Sequence, residues 1–292
     1  MSALTIREAY LEASSFLARQ GVAESAACVD LLLQHLLGWS RTELLLRWQE
    51  QLPPELAAQW RQLVERKAAG EPVQYITGEQ EFFGLPLFVS GAVLIPRPET
   101  ELLVETILRE GSRLFPQAAP LLADVGTGSG AIPVTLAHER PSWRVYSSDI
   151  SAAALEMAER NARRHGVAER ITLLEGDLLE PYIARRLSVD ILVSNPPYIP
   201  AGDVPALQPE VRLYEPHLAL IGGPDGLDLY RRMIGQLPQL PQLPVLVGLE
   251  VGIGQADAVA AMLRGIADWS SIRFILDLAG IDRHVIALRE KR

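Results

Sequence analysis

Cysteine is almost missing from this 292-residue chain: Cys28 is the only one. A lone cysteine excludes an intrachain disulfide and a thiolate metal cluster. Cys28 lies in an apolar helical stretch, so it reads as a buried free thiol. Long apolar runs are missing too. No window approaches the ~18 consecutive apolar residues a membrane-spanning helix requires. The first twenty residues carry Glu8 and Glu12 and no apolar core of the signal-peptide type, so a cytoplasmic protein is expected. Positive charge is scarce, with 27 Lys and Arg against 36 Asp and Glu and a net charge of −9. That balance argues against a chain whose main task is to grip nucleic acid through phosphates. What remains is 48% apolar and 22% charged residues, enough to bury a sizeable core. The length suits two domains, or one large and one small.

Residues 1–70 read as a small helical bundle and first domain. Ile6, Tyr10, Phe16 and Leu17 recur at roughly helical spacing, and Gly21 ends that segment. Cys28 to Leu37 forms a second stripe closed by Gly38. Ser40, with Glu43 three residues on, has the pattern of a capping box opening a third helix. Pro53 and Pro54 open a fourth that Gly70 stops. His35, Trp39, Trp48 and Trp60 read as packing residues, and the segment shows no chemistry of its own. Residues 71–95 are rich in β-formers, among them Val73, Tyr75, Ile76, Phe82 and Phe83. Glycines at 78, 84 and 91 punctuate them, so a β-hairpin linker is expected. Pro96-Arg97-Pro98-Glu99-Thr100-Glu101 then starts a helix and the third region, 96–292.

From Leu121 the chain alternates strand and helix. Leu121–Val125 is followed by Gly126-Thr127-Gly128-Ser129-Gly130 and a helix with Pro133 in its first turn. Arg144–Ser148 ends in Asp149, Ser151 caps the next helix, and Ile171–Leu174 precedes Asp177. Val189–Ser194 runs into Asn195-Pro196-Pro197-Tyr198. This series predicts an α/β fold with a mainly parallel, doubly wound sheet. Proline ends the fourth strand at once, so Asn195 and Tyr198 project at its carboxyl end, where open α/β sheets hold ligands. The glycine loop alone fits either an NAD or an S-adenosylmethionine site, since both cofactors carry a ribose that Asp149 can receive. Three features favour S-adenosylmethionine. A carboxylate at Asp124 would repel a pyrophosphate yet suit an ammonium group. Asp177 can accept from the exocyclic amine of adenine. The tail, residues 272–278 and 283–288, reads as an antiparallel hairpin, and a parallel Rossmann-like sheet finished that way is the pattern of class I methyltransferases.

Several stretches together resemble the HemK/PrmC family, whose members methylate a glutamine side chain in peptide chain release factors. They are residues 70–78, 94–101 and 124–130, Asn195–Tyr198, Tyr214-Glu215-Pro216 and Gly222-Gly223-Pro224-Asp225-Gly226. The resemblance implies S-adenosyl-L-methionine as cofactor, held by Asp124, Gly126, Thr127, Gly128, Ser129, Gly130, Asp149, Asp177, Leu178 and Asn195. It implies class I release factors as partners, with no nucleic acid or membrane needed and a monomeric enzyme. Asn195, Pro196 and Tyr198 would be catalytic, and Asn195, Pro196, Pro197 and Tyr198 would bind the glutamine amide. Leu178 departs from relatives, which often carry an aromatic there.

The chemistry suits those residue types. A carboxamide nitrogen is a poor nucleophile because its lone pair is delocalised. Two acceptors against its two N–H bonds, the Asn195 side-chain oxygen and the Pro196 carbonyl, would turn it toward the methyl group and favour its pyramidal form. Tyr198 would close over the planar amide. No general base is required before attack, in keeping with the lack of a conspicuous catalytic histidine; His138, His165 and His217 read as capping or loop residues. Glu250, after the strand 244–249, is a further candidate for the cleft. The competing readings are an N-methyltransferase acting on an exocyclic amine of adenine or guanine in DNA or rRNA, an NAD-dependent oxidoreductase, and a catalytically silent binding protein.

Overall fold

The computed structural model describes residues 4–290, which form two compact units, residues 4–79 with Gln208–Tyr214, and Gln80–Leu207 with residues 215–290. The first unit is helical: α1 (Ile6–Arg19), α2 (Ser25–Leu37), α3 (Arg41–Leu46), α4 (Ala57–Ala68) and α5 (Val73–Thr77). Capping boxes open two of these helices. Thr5 accepts from the Glu8 amide, and Ser40 accepts from the Glu43 amide at 3.2 Å while Glu43 returns a bond to the Ser40 amide at 2.8 Å. Gly38 ends α2 in the left-handed conformation. Ile6, Leu17, Leu32, Leu33, Leu44 and Trp60 fill the core. Cys28 is partly buried, and burial pushes its thiol pKa up.

Helix α5 corrects the expectation of β-structure from residue 71 onward. Pro72 supplies a helix-compatible φ at its start and Gly78 closes it. Val73 and Ile76, three residues apart, then share one buried face, and that burial outweighs their β-preference. The hairpin is shorter than expected, β1 (Glu79–Phe82) and β2 (Leu85–Phe88), joined by Phe83 and Gly84 with φ of 53° and 76°.

Helix α10 (Pro209–Tyr214) lies late in the chain yet belongs to the first unit. The fully buried Lys67 ammonium donates to Glu210 at 2.5 Å and to the Glu71 carbonyl at 3.1 Å, and the Tyr214 hydroxyl donates to the Ala69 carbonyl at 3.0 Å. The expected boundaries at 70 and 95 therefore move. The first unit runs to residue 79 and takes a segment from far downstream, which local composition does not reveal.

The second unit opens with α6 (Pro98–Leu114) and continues as β3 (Leu121–Val125), α7 (Ala131–Glu139), β4 (Arg144–Asp149), α8 (Ala152–Arg164), β5 (Ile171–Glu175), α9 (Glu180–Ala184) and β6 (Ile191–Ser194). It ends with α11 (Asp228–Gln236), β7 (Leu246–Glu250), α12 (Ala256–Arg264), β8 (Ser271–Leu276) and β9 (Asp282–Leu288). The sheet order is β5-β4-β3-β6-β7-β9-β8. The five strands from β5 to β7 are parallel, while β9 runs antiparallel to both β7 and β8. Every residue of β3, β6 and β7 is buried, as helices on both faces require. Leu122, Ile191 and Val193 pack toward α6, α7 and α8; Leu121, Ala123, Val125 and Leu192 pack toward α11 and α12. From β3 the chain winds outward through β4 and β5, then returns to β6 on the other side of β3. The β3–β6 crevice is thus the topological switch point. No helix among the described residues is long and apolar enough to cross a membrane.

Candidate active site

At the carboxyl end of β3 the glycine loop turns across β4. The Gly126 and Thr127 amides donate to the Ser148 carbonyl at 2.9 and 3.0 Å. The Asp149 carboxylate then holds the loop from the next strand, accepting from the Gly128 amide through Oδ2 and the Ser151 amide through Oδ1, both at 2.9 Å. Burial pushes its pKa up, opposed by those amide hydrogen bonds. Gly128 has φ +54°, and a Cβ there would meet nothing within 4 Å, so its backbone is bare to the cavity. Gly130 differs. Its Cβ would lie 2.9 Å from the Ala158 Cα, so this glycine serves the packing of α7 on α8 rather than the cavity wall.

Asp124 also stands apart from the wall. It has no exposure and lies beneath the loop, where the Ser147 hydroxyl donates to its Oδ2 at 2.5 Å and also bonds the Thr127 hydroxyl. Asp124 is not among the residues that line the cavity. Its Oδ1 has no hydrogen-bond partner among the described residues, and burial pushes its carboxyl pKa up to about 7. A folded pKa above the unfolded one means that the native state keeps a proton the unfolded chain has released. Between about pH 4 and 7 this group therefore lowers stability as pH rises. Asp124→Asn should remove that slope. Its melting temperature relative to wild type should be several degrees higher at pH 8 than at pH 5, a differential of about 3 kcal/mol. An offset identical at both pH values would show that Asp124 is ionised in the fold.

A cavity of about 260 Å³ opens at the switch point. The glycine loop, Asp149, Asp177, Leu178, Asn195 and Pro197 line it, together with Pro216 and Leu218 from a later loop. Ile150 and Leu218 are large apolar residues left 55% and 62% exposed, and both face this space. Asp177 is ion-paired with Arg232, and both belong to the wall. Leu178 sits at φ +50° with its carbonyl accepting from the Ser148 hydroxyl at 3.3 Å. Sequence reasoning missed Ile150, Leu218 and Arg232. Only Ile150 left a signal, as an isoleucine between Asp149 and the helix cap Ser151.

The tetrapeptide after β6 is built into the same end of the sheet. The Ser194 hydroxyl donates to the Val125 carbonyl at 2.6 Å, tying β6 to β3. The Asn195 Nδ2 donates to the Thr100 hydroxyl at 3.1 Å, and that hydroxyl donates to Glu250 Oε2 at 2.7 Å. Among the described residues nothing donates to Asn195 Oδ1 or to the Pro196 carbonyl. The Tyr198 carbonyl accepts from Gln255 Nε2 at 2.9 Å, and its hydroxyl stands 3.5 Å from Glu250 Oε1. Burial raises the phenol pKa well above normal, so Tyr198 stays protonated. Asn195 and Pro197 reach the cavity wall; Pro196 and the Tyr198 ring do not. The Tyr198 hydroxyl lies toward Glu250 and its ring edge toward Gly252.

The other motif stretches converge here. Arg97 forms an ion pair at 2.5 Å with the buried Glu215. A Cβ on Gly226 would overlap the Tyr198 carbonyl, and one on Gly222 would stand 2.6 Å from the Pro197 carbonyl. These glycines let the 222–226 loop brace the tetrapeptide backbone.

A parallel sheet completed by the antiparallel β8–β9 pair, with a glycine loop after its first strand and a cavity at the switch point, defines a class I methyltransferase. The N-terminal domain of human METTL16 in complex with SAH has a similar fold, at 14% identity over 72% of this chain and 77% of that one, with a TM-score of 0.51. Residues 8–78 match the PrmC N-terminal domain and residues 98–207 the methyltransferase small domain. The chain is 45% identical to the release factor glutamine methyltransferase of Moorella thermoacetica over 99% of this chain and all of that one. It is 44% identical to that of Geobacter sulfurreducens over 96% of this chain and 95% of that one. The chain belongs to the release factor glutamine methyltransferase family.

Proposed function

We propose that this protein transfers a methyl group from S-adenosyl-L-methionine to the side-chain amide nitrogen of the glutamine in the Gly-Gly-Gln loop of class I peptide chain release factors. It acts in the cytoplasm as a monomer and needs no nucleic acid.

The residues at the cavity fit such a donor. After bonding two backbone amides, the Asp149 carboxylate keeps lone pairs for the ribose hydroxyls. The Gly126–Ser129 backbone, bare at Gly128, admits the methionine portion closely. Ile150 and Leu178 offer apolar faces to a purine, with Asp177 beside them to accept from its amine. The bound donor supplies an electrophilic methyl group on a sulfonium. The protein orients the nucleophile. Asn195 Oδ1 and the Pro196 carbonyl accept the two N–H bonds of the glutamine amide, so the nitrogen rather than the oxygen faces the methyl. The nitrogen loses a proton only after it becomes cationic, so no strong base is needed first.

One observation carries this reading: Asn195, on the wall of the cavity, has an Oδ1 without a donor, and the carbonyl of the adjoining Pro196 is likewise unengaged among the described residues. The test is mass spectrometry of a purified release factor incubated with enzyme and donor, with DNA and rRNA in parallel. A gain of one methyl group confined to the Gly-Gly-Gln glutamine is expected. An unmodified factor, or methylation of a nucleic acid instead, would overturn the proposal.

A further inference from the structure

We infer that Glu250 is a positioning residue for the catalytic tetrapeptide, acting through Thr100 to fix which end of the Asn195 amide faces the cavity. The inference rests on the role proposed above for Asn195.

A carboxamide has a donor end and an acceptor end of nearly the same shape, and packing alone distinguishes them poorly. Only the acceptor end can receive a substrate N–H. The chain resolves this with one proton. An ionised Glu250 can only accept, so the Thr100 hydroxyl spends its single hydrogen on Oε2 at 2.7 Å. Toward Asn195 that hydroxyl then has only lone pairs, which draws Nδ2 to it at 3.1 Å and turns Oδ1 the other way. The second carboxylate oxygen lies 3.5 Å from the Tyr198 hydroxyl, so one side chain reaches both ends of the tetrapeptide. Glu250 is itself held. It is 1% exposed at the end of β7, and its carbonyl accepts from the Tyr230 hydroxyl at 2.6 Å.

Protonation would reverse the relay. A carboxylic acid at Glu250 donates to Thr100, whose hydrogen then turns to Asn195 and favours Oδ1 on that side. The groups facing Glu250 are Glu99 near the start of α6, Arg283 and His284 on β9, and the Tyr198 and Tyr230 hydroxyls. His284 Nε2 is 3.8 Å away, but burial lowers its pKa to about 4, so it brings no positive charge at neutral pH. Burial likewise pushes the Glu250 pKa up to about 7. Transfer should therefore fall as pH drops through the neutral range.

The experiment compares turnover on a release factor, donor affinity by calorimetry and the pH–rate profile for wild type, Thr100→Val, Thr100→Ser and Glu250→Gln. Thr100→Val should lower kcat by roughly 10²-fold while donor affinity stays within about 3-fold, and Thr100→Ser should recover most of that loss. The acidic limb should be present in wild type and in the serine variant, and absent from both Thr100→Val and Glu250→Gln. Near-wild-type kcat in Thr100→Val, or an unchanged acidic limb in Glu250→Gln, would overturn the inference. Wild type that leaves the release factor unmodified would instead remove the proposed function, so the two failures are distinct.

Discussion

Asn195→Ala should reduce methyl transfer to a release factor by about 10³-fold or more, with the melting temperature nearly unchanged. Removing a single preorganised polar group from an active site typically costs about 10²–10³ in rate. Here the loss is compounded. The substrate nitrogen has no lone pair to offer until its amide is pyramidalised, and Asn195 Oδ1 is one of only two acceptors that favour that change. Without it the amide keeps one fixed N–H at the Pro196 carbonyl and can rotate about that bond, presenting oxygen to the methyl group. The fold should tolerate the change because Asn195 sits past the last buried residue of β6, and its one side-chain bond is to Thr100. Turnover on the release factor by mass spectrometry and thermal unfolding monitored by dye binding check both parts. Near-normal turnover would remove Asn195 from the mechanism, whatever the donor affinity.

The parts of this molecule that could be read from its sequence are those where one local rule acts alone. The glycine loop, the Ser40–Glu43 capping box, the largely apolar strands β3 and β6 and the proline stop after Ser194 each follow from neighbours within a few residues. Helix α5 runs against its local preferences because its Val, Tyr and Ile favour strands, while the deciding fact is the burial of Val73 and Ile76 on a common face. The attachment of Gln208–Tyr214 to the helical unit depends on Lys67 and Glu210, 143 positions apart, and no spacing rule connects them. The support of Asn195 by Thr100 and Glu250 spans 95 and 150 positions and appears only once β6, β7 and α6 are side by side. Asp124 shows the opposite limit. Its place on the strand was legible, but the full burial of its carboxylate against the Ser147 hydroxyl of the neighbouring strand was not.

Asp149→Ala should weaken donor binding by about 10²-fold or more, the second large effect expected at this site. Two contributions combine. The carboxylate offers charge-assisted acceptors for hydroxyl groups, each such bond contributing about 1.5–3 kcal/mol. It also holds the glycine loop and the start of α8 together by accepting from the Gly128 and Ser151 amides. Alanine therefore removes ligand contacts and at the same time frees the loop that must be ordered around the ligand, so part of the affinity is lost to ordering. Asp149→Asn separates these contributions. Its Oδ1 can still accept from one backbone amide, but its NH₂ cannot replace the second acceptor, so an intermediate affinity is expected. Calorimetric titration with the donor measures the series directly, and kcat at saturating donor should recover much further in Asp149→Ala than in Asn195→Ala. That contrast follows from position: Asp149 stands at the end of β4 on the donor side of the switch point, whereas Asn195 stands at the end of β6 with its acceptor unengaged. Unchanged donor affinity in Asp149→Ala would mean that the loop is held by its bonds to Ser148 alone, and that the ribose lies elsewhere.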